Sequence, residues 1–287
     1  MRLSKKLKNR IKGSRLLWPV RKTWRTWKLM RARMSGSHFC SVCGFTGKPR
    51  DSKVLWEELS ATWGLSAAWV KYFDAREGTC CVGCGASLRS NHLAKTLVSL
   101  INQQSGVTDA RTLEEACDTD FMGQWRVAEI NSAGHLHGAL ARLKHLRFSE
   151  FGSKDPRVPS ENLLSLTYPD QHFDLVITSE TLEHVPDVDG ALKEIHRVLK
   201  PGGWHVFTVP IIDDGRATIQ RAAIENGKLM HLLPPSYHGN PTQSPTDLLV
   251  FYEYGMDFVE RCTSAGFTTT VHRDAANPAI ITLVSRK

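Results

Sequence analysis

The sequence predicts an α/β fold: a mostly parallel sheet with crossover helices, preceded by a small cysteine-bearing module. Three observations lead there. From Trp125 onward short apolar runs alternate with amphipathic stretches, the pattern of a parallel sheet whose strands are joined by helices. The apolar run Phe173 to Ser179 is followed by a helical stretch and then by the turn Pro201-Gly202-Gly203. Upstream stand two CxxC-Gly knuckles, Cys40-Ser-Val-Cys43-Gly and Cys81-Val-Gly-Cys84-Gly.

In chain order, residues 1–36 form a basic tail. Met1 to Met34 carries 13 of the 37 Lys and Arg and no acidic residue, so the remaining 24 basic residues face 29 acidic ones. The body is therefore slightly acidic and shows no general attraction for nucleic acid. Leu3, Leu7 and Ile11, then Val20, Trp24, Trp27 and Met34 beyond Pro19, recur at helical spacing and predict two short basic amphipathic helices. Such a segment fits an anionic membrane surface or a nucleic-acid backbone; a solvated extension is the plainer alternative. Leu16 to Val20 is too short for the core of a secretion signal, and no run reaches the roughly 18 apolar residues that span a bilayer. The expectation is a cytoplasmic chain, peripheral to a membrane surface at most.

Residues 37–92 hold the cysteine module. Four thiolates paired as Cys40, Cys43, Cys81 and Cys84 suit a tetrahedral, structural Zn²⁺, with a redox or disulfide role as the alternative. The knuckles are 37 residues apart, so a helical insertion bearing Trp56, Trp63 and Trp69 must loop out between them. Cys117 and Cys262 have no such partner and are expected to be buried small hydrophobes. A helical connector is expected over 93–124, and the sheet domain over 125–287.

Within that domain strands are expected at Trp125 to Ile130, Arg147 to Phe151, Phe173 to Ser179, Trp204 to Pro210, Thr268 to His272 and Ile280 to Ser285, with a short one near Asn162 to Leu164. Helices are expected at Gly134 to Leu143, Val188 to Leu199 and Tyr254 to Ala265. The interval 211–250 is too long for an ordinary connection and predicts a lid.

The ordered run from Phe173-Asp-Leu-Val-Ile-Thr-Ser-Glu-Thr-Leu-Glu-His-Val-Pro186 through Ala191 to Gly203 resembles the fourth and fifth strand region of class I S-adenosylmethionine-dependent methyltransferases, particularly the type 11 branch. The resemblance implies a Rossmann-like methyltransferase sheet, mostly parallel with its last strand antiparallel, and S-adenosylmethionine as cofactor. Some type 11 relatives carry a similar CxxC-Gly pair ahead of this domain. The family's acid-x-Gly-x-Gly-x-Gly turn corresponds to Glu129, Ile130, Asn131, Ser132, Ala133 and Gly134, where most of the glycines are replaced; Asn tolerates left-handed backbone angles and Ala is small. Glu150, 21 residues after Glu129, falls where an acid would bond the ribose hydroxyls. Phe151, Asn162 and Leu163 follow at the adenine end, and Ser179, Glu180 and His184 at the end of the fourth strand.

In the lid, Met230-His-Leu-Leu-Pro-Pro-Ser-Tyr-His-Gly-Asn240 resembles a Pro-Pro-x-Tyr-His segment of type 11 relatives. His238 is the first candidate for a base or acceptor-orienting group, with Tyr237 and His231 behind it; a hydrogen bond within the lid is the plainer role for His238. The resemblance favours a small-molecule or glycan acceptor. RNA methylation, suggested by the tail and cysteine module, lacks support at Ser179-Glu-Thr-Leu182, where an Asn/Asp-Pro-Pro-aromatic motif would stand. A non-catalytic binding module is the third reading.

Overall fold

The computed structural model describes residues 29–33, 35–238 and 249–287. The tail's predicted helices, Met34 and the segment 239–248 lie outside the described residues. Six strands form the central sheet: β1 (Val127–Ile130), β2 (Leu146–Ser149), β3 (Phe173–Ser179), β4 (Leu199–Thr208), β9 (Thr268–Arg273) and β10 (Ile281–Arg286), in the order β2-β1-β3-β4-β10-β9. β1 pairs in parallel with both β2 and β3, and β3 with β4; β10 runs antiparallel between β4 and β9. This is the mostly parallel, Rossmann-like sheet with its last strand reversed that the sequence predicts.

β3 is buried along almost its whole length because Phe-Asp-Leu-Val-Ile-Thr-Ser faces helices on both sides. Its pairing with β4 skips from Phe173↔Leu199 to Leu175↔Trp204, so Lys200 to Gly203 bulges out. Gly202 takes φ 77° there, and a Cβ on Gly203 would stand 2.9 Å from the Lys200 carbonyl oxygen.

Alternate residues of each strand feed two opposite layers. Val127, Leu175, Ile177 and Val206 pack under α3 (Leu88–Ser105), while Ala128, Val176, Phe207 and Leu283 pack under α7 (Val188–Val198) and α8 (Phe258–Ser264). α7 buries Val188, Ala191, Leu192, Ile195 and Val198, a 3–4 stripe, and Asp187 caps it by accepting from the Gly190 amide. α3 is capped by Ser87 and stopped by Gly106 at φ 66°. The boundary expected between residues 92 and 93 falls inside α3, and Cys40, Val42, Phe45 and Cys81 share one core with α3 and the sheet. The cysteine module, α4 (Leu113–Cys117), α5 (Asp120–Gln124) and the sheet face are thus one packed unit.

Three expectations need correction. No strand forms at Asn162 to Leu164: Asn162 Oδ1 accepts from the Leu164 amide and its carbonyl from the Ser165 amide, a side-chain-closed turn that competes with sheet pairing. The helices are also shorter than expected. A single 3₁₀ turn (Gly134–Leu136) leads into α6 (His137–Leu140), and α8 starts at Phe258 because Tyr254 is held in a β-bridge to Ile211, just after a short strand, β8 (Tyr252–Glu253), paired with β5 (Ile219–Gln220). Third, the insertion between the knuckles does not loop out. Its helices α1 (Glu57–Thr62) and α2 (Ala67–Gly78) lie against the sheet domain, where Trp63, Trp69 and Phe73 pack with Ile212, Val250 and Ala279. Trp63 Nε1 donates to Ser236 Oγ at 2.9 Å, and Arg216 Nη1 to the Trp63 carbonyl at 2.8 Å. Part of the lid is regular: β6 (Ala222–Glu225) and β7 (Lys228–His231) form a hairpin across Asn226-Gly227, both at positive φ.

Candidate functional site

The strand order reverses direction at β1, between β2 and β3, and ligands of open α/β sheets bind beyond the strand C-termini at such a point. A cavity of about 720 Å³ lies there. Its wall includes Asn131, Ser132, Gly134, Glu150, Phe151, Asn162, Leu163, Ser179, Glu180, His184 and His238, residues from five different chain segments that the sequence marks as one site.

The first turn is built as its unusual sequence implies. Asn131 takes φ 57° and Gly134 φ 63°, and Asn131 Oδ1 accepts from the Phe151 amide at 2.8 Å, tying the ends of β1 and β2 together. Asn131→Ala should lose that bond and pay for left-handed strain, about 1–2 kcal/mol by denaturant unfolding, whereas Asn131→Gly should lose less. Equal losses would show that the backbone angle is immaterial.

Glu129, Ile130 and Ala133 do not reach the wall. Glu129 is fully buried, accepting from the Ala133 amide at 2.8 Å and paired with His137 Nδ1 at 2.6 Å. Burial pushes its carboxyl up, against the pull of His137. Its role in this structure is to brace the turn. His231 lies exposed on β7 and Tyr237 is half-exposed beside Leu249, neither in the cavity wall.

The insertion supplies a part of the site that sequence reasoning missed. Arg76, on α2 and only 1% exposed, grips Glu180 through two bonds of 2.8 and 2.7 Å. Arg76 also pairs with Glu77, and Arg89 of α3 bonds Glu77 (2.7 and 3.1 Å) and Ser179 Oγ (2.5 Å). Burial disfavours the charge on Glu180, but Arg76 and Arg89 overcome it and hold the carboxyl at about 2. Glu180 itself sits at φ 50°, a strained angle for a non-glycine, at the end of β3.

One turn further, Glu183 is fully buried and neither carboxylate oxygen has a hydrogen-bond partner among the described residues. Burial first, and Glu180 second, push its carboxyl well above the usual range. His184 Nδ1 donates to the Leu249 carbonyl at 3.0 Å, which leaves Nε2 with the lone pair. His238 stands edge-on between Trp63 (5.1 Å) and His184 (4.9 Å), with Nε2 buried and without a hydrogen-bond partner among the described residues. Burial pushes the His238 imidazolium down to about 3, so the ring is neutral at pH 7 and a weaker base than a proton acceptor there requires.

The two knuckles are built alike. Gly44 and Gly85 take φ 72° and 89°, and their amides donate to the carbonyls of Cys40 and Cys81 at 2.8 and 2.9 Å. Cys40 Sγ lies 3.7 Å from Cys84 Sγ and Cys43 Sγ 3.9 Å from Cys81 Sγ, and all four sulfurs lie within 4.8 Å of one another. All the cysteines are free thiols. Zn–S bonds of about 2.3 Å in a tetrahedron place sulfurs about 3.8 Å apart, so the set fits the ion. Cys80 Sγ points instead to the Glu77 carbonyl. Cys117 and Cys262 are buried, with thiols pushed up to about 12 by desolvation.

Residues 138–207 match a family described as "Methyltransferase domain". A demethylmenaquinone methyltransferase of Listeria monocytogenes is 29% identical over 114 residues, 38% of this chain and 47% of that protein. A ubiquinone/menaquinone biosynthesis C-methyltransferase of Hydrogenovibrio crunogenus is 60% identical over 42 residues, 15% of this chain and 16% of that protein. The chain spans about half the length or less of these curated relatives. Among solved structures, the 1,6-didemethyltoxoflavin-N1-methyltransferase of Burkholderia thailandensis is 16% identical with a TM-score of 0.38, covering 83% of this chain and 93% of that one. No helix among the described residues is long and apolar enough to cross a membrane.

Proposed function

We propose that the chain is an S-adenosylmethionine-dependent methyltransferase acting on a small-molecule or glycan acceptor. The observation that carries this reading is the convergence of the β1 turn, the β2 end, Asn162-Leu163 and the β3 end on one cavity at the switch point. S-adenosylmethionine supplies a methyl group on a sulfonium, already activated for displacement. The chain's own part is to bind and orient. The Asn131 to Gly134 turn offers a close backbone approach, the Glu150 carboxylate an acceptor for hydroxyls, Asn162 a neutral polar partner, and Phe151 and Leu163 apolar walls. The names of the Listeria and Hydrogenovibrio relatives favour a quinone-like small acceptor over RNA. His238 serves to position the acceptor rather than to take its proton.

The test is calorimetric titration of the full chain with S-adenosylmethionine. One site is expected, and Glu150→Ala should weaken it by about 1–3 kcal/mol, the scale of a lost hydrogen bond to a polar ligand group. A wild type that does not bind the cofactor would make the chain a non-catalytic module. Unchanged affinity in the variant would remove Glu150 from the site.

In the same proposal the four-cysteine cluster holds one structural Zn²⁺. Cys40, Cys43, Cys81 and Cys84 close its coordination shell and leave no position for water, so the ion supports folding rather than chemistry.

A further inference from the structure

We propose that Glu183, His184 and His238 bind a single divalent cation at the wall of the cavity, where it would hold an oxygen of the acceptor. The ligand atoms of the three residues lie within 4.8 Å of one another. They come from a rigid frame. The 3₁₀ turn Leu182–His184 is fastened to the returning lid strand by the Phe251 amide on the Glu183 carbonyl (2.8 Å) and by the Tyr254 hydroxyl on the Leu182 carbonyl (2.9 Å). His238 is fixed between Trp63 and His184.

What needs explaining is the polar chemistry left without partners. A buried carboxyl group with neither oxygen bonded among the described residues is an expensive arrangement, and His238 adds a buried Nε2 that likewise has no partner among them. His184 has the arrangement metal-binding histidines usually show: Nδ1–H donates to a backbone carbonyl, that of Leu249, and Nε2 is left as the donor atom, 3.7 Å from Glu183 Oε1. The neighbouring Glu180 is engaged by Arg76 and Arg89 and is not one of the three grouped ligands.

Two imidazoles and one carboxylate suit the borderline cations Mn²⁺, Fe²⁺, Co²⁺, Ni²⁺ and Zn²⁺ better than Mg²⁺ or Ca²⁺. Three protein ligands leave positions open, unlike the four-thiol cluster, and His184 and His238 both line the cavity. An acceptor hydroxyl bound at an open position would release its proton to solvent more readily, leaving an oxygen anion beside the cofactor cavity. This role in orienting an oxygen acceptor rests on the methyltransferase reading; the cation site itself does not.

The experiment is a titration of the zinc-loaded full chain, cleared of loosely held metal by a weak chelator, with Co²⁺ alone, followed by calorimetry and visible absorption. One further Co²⁺ per chain is expected, with weak ligand-field bands and no thiolate charge-transfer band. Glu183→Gln, an isosteric change, and His238→Ala should each weaken binding by about 100-fold or more at an unaltered circular-dichroism spectrum. If His238→Ala fails to fold, Glu183→Gln decides. No Co²⁺ uptake by the wild type, uptake with thiolate bands, or unchanged affinity in Glu183→Gln would each overturn the site. Because neither cofactor nor acceptor is present, failure here is distinct from failure to bind S-adenosylmethionine.

Discussion

Cys84→Ser should empty the four-cysteine cluster of its zinc and unfold far more than the knuckles. The metal content of the wild type, after removal of loosely held ions, is expected at one zinc per chain, and that of the variant near zero. Structural zinc contributes about 10–16 kcal/mol to the domains that it closes, more than the entire stability of an ordinary domain. Serine is nearly isosteric with cysteine, so the loss would be one of ligation rather than of packing. The consequence spreads because Cys40, Val42, Phe45 and Cys81 are packed into the core that also contains Leu93, Leu97, Val127 and Ile177. That core is one layer of the sheet. We therefore expect a single cooperative transition at lower temperature, with loss of far-ultraviolet helix signal beyond the 37–92 region, rather than a separate early melting of a module. A wild type that contains no tightly held metal, or a variant that melts with the wild type, would contradict the structural role of zinc.

How far the sequence reached depends on whether each feature has a local cause. β3, α7 and β4 were legible because one is a continuous apolar strand, the next a 3–4 stripe after Asp187, and the third is marked by the Pro-Gly-Gly segment that bulges near its start; all three signals lie within a few residues. The cluster of Asn131, Glu150, Asn162 and Ser179 in one cavity was legible for the same reason, since strand order alone brings strand ends together. Other features have no local cause. That Trp63, Trp69 and Phe73 form an apolar face is visible in the sequence, but not that Ile212 and Val250 cover it. Arg76 and Glu180 are 104 residues apart, and nothing around either names the other. Glu129 illustrates a subtler miss. An acid near the end of a first strand reads as a ligand contact, yet His137, eight residues on, takes the carboxylate into the turn. His238 was found by its residue type and its lid position, but the burial that keeps it neutral comes from Trp63, supplied by the insertion.

Arg76→Met should lower stability by about 3–5 kcal/mol, the range for breaking a buried ion pair by removing one partner. For a chain of this size that corresponds to a fall of roughly 10 °C in Tm. The argument is one of what remains. Without the Arg76 guanidinium, Glu180 keeps only Arg89, whose Nε is 3.8 Å away and already engaged by Glu77 at 2.7 Å. Glu180 would then be a mostly buried carboxylate beside Glu77 without its main counter-charge. Its left-handed backbone, strained by about 1–3 kcal/mol, would also lose the bidentate grip that holds it, so the end of β3 should relax. Arg76→Lys should fall between, because an ammonium retains the charge but cannot reproduce the two parallel bonds. The decisive measurement is the double-mutant cycle with Glu180→Gln. If the pair carries the effect, Arg76→Met combined with Glu180→Gln should recover at least about 1–2 kcal/mol relative to Arg76→Met alone, since the unpaired charge is gone. An additive cycle would assign the loss to the packing of the Arg76 side chain against Phe73, whose ring centroid is 5.6 Å from the guanidinium carbon. A single variant within about 1 kcal/mol of the wild type would show that α2 is held over the cavity by Trp63, Trp69 and Phe73, without help from the arginine.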